Sequence, residues 1–176
     1  MKILVVIDMQ NDFLTGALGN PEGVKIIPLV VEKINEYKNN NDIIIATRDT
    51  HYDNYLATME GSKLPVPHCI YNSYGWQIED NIAKSLGDAL IFDKPTFGST
   101  SLAEYLFKNY KDKETELEIE LCGVCTDICV ISNAMLIKSY LPNSHILVDS
   151  KLVRGVTNES HQIALMAMKA CHIEIK

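Results

Sequence analysis

Short apolar runs of strand length alternate with helix-length stretches along the whole chain, and that alternation leaves few folds open. The runs occupy residues 2–7, 43–47, 89–92, 117–122, 146–148 and 173–175. The first, Ile3-Leu4-Val5-Val6-Ile7, is continuous, as in a strand buried on both faces. Between the runs lie residues 23–37, 78–86, 99–110, 127–140 and 158–170. In the first of these stretches apolar residues fall at Val24, Ile27, Val30, Val31 and Ile34, close to the 3.6-residue helical period. Asn39-Asn40-Asn41 stops it, Gly87 suits the C-terminal cap of the next, Ser99 or Thr100 can cap the third, and Leu141-Pro142 ends the fourth. Strands joined by helical crossovers pair in parallel and carry helices on both faces. The expected fold is α/β: a three-layer αβα arrangement around a mainly parallel sheet of about six strands. The 176 residues are enough for one full core, and no repeat, low-complexity tract or linker divides residues 1–176, so a single domain is expected.

The formal net charge of −7 sets the chain against nucleic acid, whose phosphates select a basic face. Lys108, Lys111 and Lys113 are interleaved with Asp112 and Glu114 and read as a solvated loop. No apolar run approaches the ~20 residues of a membrane-spanning helix. Asp8 interrupts the N-terminal run too early for a signal peptide. A cytoplasmic location is the expectation. The five cysteines, an odd number, then read as thiols in a reducing compartment rather than as a disulfide framework.

Three residues far apart in the chain make one chemical argument. Asp8 follows the first apolar run, Lys94 the third, and Cys129 lies shortly past the fourth. In an open α/β sheet ligands bind outside the carboxyl ends of the strands, so an acid, a cation and a thiol are expected in one crevice. Together they are the parts of an activated cysteine nucleophile, with Asp8 as general base and Lys94 favouring the charged forms. Cys129 also falls in the first turn of a helix, where the dipole and free N–H groups favour a thiolate. A second group begins with Asp49 and His51, alternate residues at a strand exit that can point one way. His68 adds a third ligand from the polar segment 48–76, which is long enough to be functional rather than idle. Such N/O donors suit Zn²⁺, with Fe²⁺ or Mn²⁺ fitting as well.

These segments resemble, in order and over essentially the whole chain, the isochorismatase-like cysteine hydrolases, most closely their nicotinamidase branch. Ile7-Asp8-Met9-Gln10-Asn11-Asp12-Phe13 is similar to the family's opening D-x-Q-x-D-F. Arg48-Asp49-Thr50-His51 and Pro67-His68-Cys69 are similar to the metal-binding segment, and Asp93-Lys94-Pro95-Thr96-Phe97 to the lysine loop. Gly123-Val124-Cys125-Thr126-Asp127-Ile128-Cys129-Val130 is similar to G-[VI]-A-T-[DE]-x-C-V. The resemblance implies a metal-containing amidase that converts nicotinamide to nicotinate and ammonia in NAD salvage. Another amidase of the same family, acting on a different small amide, is the alternative. It implies Asp8, Lys94 and Cys129 as catalytic residues and the N–H groups of Cys125 and Cys129 as an oxyanion hole, with a cis peptide before Cys125. It implies Asp49, His51 and His68 as metal ligands, Glu60 as a fourth, and Phe13 and Phe97 as walls for a flat ring. Homo-oligomers are frequent in the family, and no sequence feature here selects a state.

Two departures stand out. Cys125 occupies a position that is usually Ala and creates Cys122-Gly123-Val124-Cys125. A redox dithiol or half a zinc knuckle is the other reading of that spacing; the second half-knuckle is absent, and a redox motif belongs near the first βα junction. Pro65 stands where the family often has Trp, while the chain's only tryptophan, Trp76, is expected to pack at the start of the next helix. His145, His161 and His172 lie outside the motifs and receive no role.

Overall fold

The computed structural model describes residues 1–176. Its elements run β1 (Lys2–Ile7), α1 (Asn11–Leu14), α2 (Pro21–Asn39), β2 (Ile43–Asp49), α3 (Met59–Lys63), α4 (Asp80–Leu86), β3 (Leu90–Lys94), α5 (Thr100–Tyr110), β4 (Glu118–Val124), α6 (Ile131–Tyr140), β5 (His145–Arg154), α7 (Asn158–Ala170) and β6 (Glu174–Ile175). All six strands pair in parallel in one sheet of order β3-β2-β1-β4-β5-β6. The strand order reverses between β1 and β4, and in such doubly wound sheets a crevice opens there, beyond the strand carboxyl ends.

The two-residue period of β1 divides its side chains between two cores. Ile3, Val5 and Ile7 join a cluster with Leu102 and Leu106 of α5, Ala134 and Ile137 of α6, and Leu165 and Met168 of α7. Leu4 and Val6 join the opposite cluster, with Ile26, Val30 and Ile34 of α2 and Ile82 and Leu86 of α4. Each fully buried aliphatic side chain contributes about 1.5–3 kcal/mol, so both faces of β1 hold the three layers together. Helix α2 begins because Asn20 accepts hydrogen bonds from the N–H groups of Glu22 and Gly23, with Pro21 in the first helical position. Gly123 pairs with Ile7 where the crevice opens; its φ is +117°, and a Cβ there would collide with the Ile7 backbone. Only glycine lets β1 and β4 approach at that point.

Several elements extend past the apolar runs. β2 reaches Asp49 and β3 reaches Lys94, so both residues end a strand rather than follow one. Parallel pairing of Arg48 with Asp93 and Asp49 with Lys94 holds these polar residues in the sheet. β5 continues through Asp149-Ser150-Lys151 to Arg154, with a register irregularity against β4 between Leu121 and Gly123. The predicted helix 127–140 is a π-type turn, Thr126–Val130, leading into α6. No helix is long and apolar enough to cross a membrane.

Candidate active site

Asp8 is the first residue beyond β1, with φ +47° and no exposure. Thr47 Oγ1 donates to its Oδ1 at 2.7 Å. Lys94 Nζ stands 2.7 Å from Asp8 Oδ2, an ion pair at contact distance that lacks hydrogen-bond alignment. The same ammonium lies 3.6 Å from Cys129 Sγ and 3.3 Å from Asp49 Oδ1. Lys94 is 1% exposed and Cys129 5%. Sheet order therefore gathers an acid from β1, a cation from β3 and a thiol from the turn after β4 into one buried cluster.

Burial pushes the Cys129 thiol well above its ordinary range, the Asp8 carboxylate adds to that, and Lys94 opposes it. Burial also raises Asp8, against the pull of Lys94. Burial works against the Lys94 ammonium, but Asp8, Cys129 and Asp49 together raise it above the usual lysine value. The resting cluster thus holds a thiol beside an Asp8–Lys94 pair. This differs from the thiolate expected from helix position: the turn is short, and desolvation with a neighbouring carboxylate outweighs its dipole.

The second cluster adjoins the first. Asp49, His51, Glu60 and His68 offer one ligand atom each, all within 4.8 Å of one another. His51 Nε2 is 2.9 Å from Asp49 Oδ2 and 3.5 Å from Glu60 Oε1. His68 Nε2 is 3.5 and 3.6 Å from the same two oxygens. His51 Nε2 is buried yet makes no aligned hydrogen bond, and buried polar atoms are rarely left so. His68 Nδ1 is bonded to the Val66 carbonyl at 2.8 Å, which turns its Nε2 into the group. Tyr55 packs edge-on against both imidazoles, at 4.7 and 5.0 Å. Two imidazoles and two carboxylates with an orphaned inward nitrogen fit a divalent metal. Burial would raise Asp49, but contacts from His51 and His68 and the charge of Lys94 hold it well below the ordinary carboxylate range. Burial raises Glu60, and its proximity to His51 opposes the shift.

Comparison with known proteins identifies the family. The model of the isochorismatase domain matches residues 2–175. The chain belongs to the isochorismatase family. Pyrazinamidase of Pyrococcus horikoshii in complex with zinc is 31% identical, with a TM-score of 0.82 over 99% of this chain and 98% of that one. Nicotinamidase of Schizosaccharomyces pombe is 27% identical over 209 residues, covering 98% of this chain and 91% of its own length. Nicotinamidase/pyrazinamidase of Mycobacterium tuberculosis is 25% identical over 186 residues, covering 99% and 98%.

Around this family core the remaining expected residues divide. Phe13 is 7% exposed, and its ring centroid lies 5.6 Å from that of His68, facing the metal group. Phe97 is 46% exposed; Asn133 holds its carbonyl, and its ring is not buried in either cluster. The Val124–Cys125 peptide is cis, and the Cys125 N–H donates to no acceptor within the protein. The Cys125 side chain packs toward the Phe13 core, opposite the core that includes Cys129. Burial pushes its thiol up to about 12. All five cysteines are free.

Trp76 lies in the core that holds Ile82 and Leu86 of the next helix, and it also reaches the exit of β2. Its Nε1 donates to Thr50 Oγ1 at 2.9 Å, and the Arg48 guanidinium lies 3.7 Å over its ring. It thereby buttresses the strand exit that carries Asp49 and His51. Sequence reading also missed the residues that brace the site. Gln10, fully buried, donates to the carbonyls of Asp49 and Trp76 and accepts from the Asp49 N–H at 2.7 Å. Asp12 Oδ2 accepts from the Cys69 N–H at 2.7 Å, beside His68. Asn133 donates to the Cys129 carbonyl at 2.8 Å and accepts from the Ser99 N–H at 2.9 Å. Gln10 and Asp12 stand inside the first motif and were open to detection there; Thr47 and Asn133 carry no such mark.

Proposed function

We propose that this chain hydrolyses nicotinamide to nicotinate and ammonia through a Cys129 thioester. It is a hydrolase of amide C–N bonds, in line with relatives named nicotinamidase and pyrazinamidase along nearly its full length. The observation that carries the reading is the single Lys94 ammonium in contact with both Asp8 and Cys129.

Asp8 takes the thiol proton as the sulfur attacks the carboxamide carbon, and Lys94 stabilises the charge that develops. Both groups have raised pKa values, so the proton moves between partners that burial disfavours in their charged forms alike. The N–H groups of Cys125 and Cys129 hold the oxyanion, a contribution of about 3–4 kcal/mol per donor. Asp8 returns the proton to the departing nitrogen, and ammonia leaves a thioester behind. Asp8 then deprotonates the attacking water, the C–S bond breaks, and the proton passes to the Cys129 sulfur as nicotinate leaves. Asp49, His51, Glu60 and His68 would hold a divalent ion, Zn²⁺ or alternatively Fe²⁺ or Mn²⁺, that offers the ring nitrogen of the substrate a Lewis-acid partner. Phe13 faces that group and packs on the ring.

Ammonia release from nicotinamide by zinc-loaded protein tests this, with Cys129→Ala as control. Release that disappears in the variant supports the reading. No release from folded, metal-loaded wild type, with Cys129 still reactive, overturns nicotinamide as substrate and turns the search to other small amides.

A further inference from the structure

His161 is the one buried histidine outside the metal group. It stands on α7, and its Nδ1 lies 2.9 Å from Thr126 Oγ1. Thr126 is fully buried and opens the turn that carries Cys129. Asp127, the next residue, is held from the same side: the Val156 N–H reaches its two carboxylate oxygens at 3.1 and 3.2 Å. Gly155 lets the two segments close, since a Cβ there would stand 2.8 Å from His161 Cβ and 3.0 Å from Asp127 Oδ1. Asn20 Nδ2 anchors the Gly155 carbonyl at 2.8 Å.

The turn needs outside support. It is a π-type turn of five residues with no side-chain cap, and single π turns of this kind are rare and concentrate at functional sites. The N–H groups of Ile128 and Val130 share the Cys125 carbonyl at 3.1 and 3.0 Å. The side-chain ties on Thr126 and Asp127 come from α7 and the segment leading into it. A neutral imidazole offers one donor and one acceptor, and a threonine hydroxyl can serve as either. Burial and Arg154 hold His161 below the usual histidine range, with Asp127 opposing.

We propose that His161 is a positioning residue for the nucleophile, acting through the Thr126 hydroxyl to keep the Cys129 thiol against Lys94. The proposal rests on the cysteine-amidase reading. A displacement of about 1 Å at a reacting atom costs on the order of 100-fold in rate, so a loosened turn is felt in kcat before it is felt in substrate binding.

The test compares His161→Leu, His161→Asn, Thr126→Val and the His161→Leu/Thr126→Val double variant, each zinc-loaded. Two readouts are taken: kcat and KM for ammonia release from nicotinamide, and the rate of Cys129 alkylation by iodoacetamide, followed by mass spectrometry. His161→Leu is expected to lower kcat by about 10–100-fold with KM nearly unchanged, and to slow alkylation, because the sulfur leaves its cation. His161→Asn restores most of both, since its amide stands where Nδ1 stood. The double variant is no worse than the worse single variant, as for residues acting as one unit. A merely structural role would lower Tm, leave kcat per folded molecule intact and speed alkylation by uncovering the thiol; that result, or additive losses in the double variant, overturns the proposal. If wild type releases no ammonia from nicotinamide while alkylation follows the expected order, the substrate reading falls and the role of His161 stands.

Discussion

Lys94→Met removes the charge on which the site's electrostatics converge. The ammonium is 1% exposed and sits 2.7 Å from Asp8 Oδ2 and 3.3 Å from Asp49 Oδ1. At an effective dielectric of about 20, each contact is worth roughly 5–6 kcal/mol of attraction, most of it offset by the desolvation of the charges. Methionine keeps the length of the stem, so the cavity left is small. It removes the attraction and leaves two buried carboxylates, and truncations of that kind cost about 3–5 kcal/mol. The cost depends on pH. Burial already raises Asp8 against the pull of Lys94, and in the variant that pull is gone. A carboxyl group whose folded pKa lies above its unfolded value contributes its stability at pH below the unfolded value and loses it as pH rises through the folded one. The deficit against wild type is therefore largest at pH 8 and narrows toward pH 5. Urea unfolding of metal-free protein at both pH values, with equal m-values, measures it. Adding Asp8→Asn to Lys94→Met leaves one buried charge fewer and recovers about 1–3 kcal/mol without recovering activity. A loss below about 1 kcal/mol at pH 8, an equal loss at pH 5, or a double variant less stable than Lys94→Met refutes the reasoning.

Thr47→Val deletes the hydroxyl that donates to Asp8 Oδ1. That bond favours the carboxylate, so its loss raises Asp8 further and moves the acid limb of kcat/KM to higher pH; an unmoved limb would show that Asp8 is not the base. Gln10→Ala frees the main chain of Asp49 on both sides and should weaken zinc binding by about 10–100-fold in a chelator competition, as loss of outer-shell support does. Gly123→Ala places a Cβ against the Ile7 backbone at φ +117°. It should yield misfolded protein or one destabilised by several kcal/mol in urea titration, of the order of the largest single-residue effects.

What was legible in the sequence follows from which physical signals are local. The parallel sheet and its crossovers could be read because buried strands and amphipathic helices repeat at their own periods. The ends of β2, β3 and β5 could not: Arg48-Asp49 and Asp93-Lys94 are polar and are held as strand by pairing with each other across a long sequence separation, and Asp149-Ser150-Lys151 fall in the register irregularity of β5, beyond which pairing with β4 resumes at Val153. The metal group was visible as residue types, and Glu60 entered from the resemblance alone; the structure brings it in because Thr58 caps α3 and turns Glu60 toward His51. The raised pKa of Cys129 was beyond reach: helix position argues for a thiolate, and only three-dimensional burial reverses the sign. The contacts of Trp76 with Thr50 and Arg48 escaped because those partners lie at the β2 exit, far from it in sequence.

Strand order also explains why the cation is a lysine placed on β3. Neighbouring strands lie about 4.8 Å apart, so the end of β3 is two spacings, roughly 10 Å, from the end of β1. β2 lies between them, and it ends at Asp49, directly paired with Lys94. A side chain running from β3 to Asp8 must cross β2, which is why the ammonium also meets Asp49 Oδ1 on its way. The crossing needs a long, flexible stem ending in a compact charge, and the four-carbon stem of lysine supplies that. Arginine ends in a planar fork that would spread over Asp49 before reaching the sulfur, and Asp49 would then turn its second oxygen away from His51 and His68. A cation on β2 itself would sit among the metal-type ligands and repel an ion there. With the acid on β1, the thiol after β4 and the ligand group at the end of β2, position 94 is the place in this sheet from which one charge can touch the acid and the sulfur while leaving Asp49 Oδ2 to face the imidazoles.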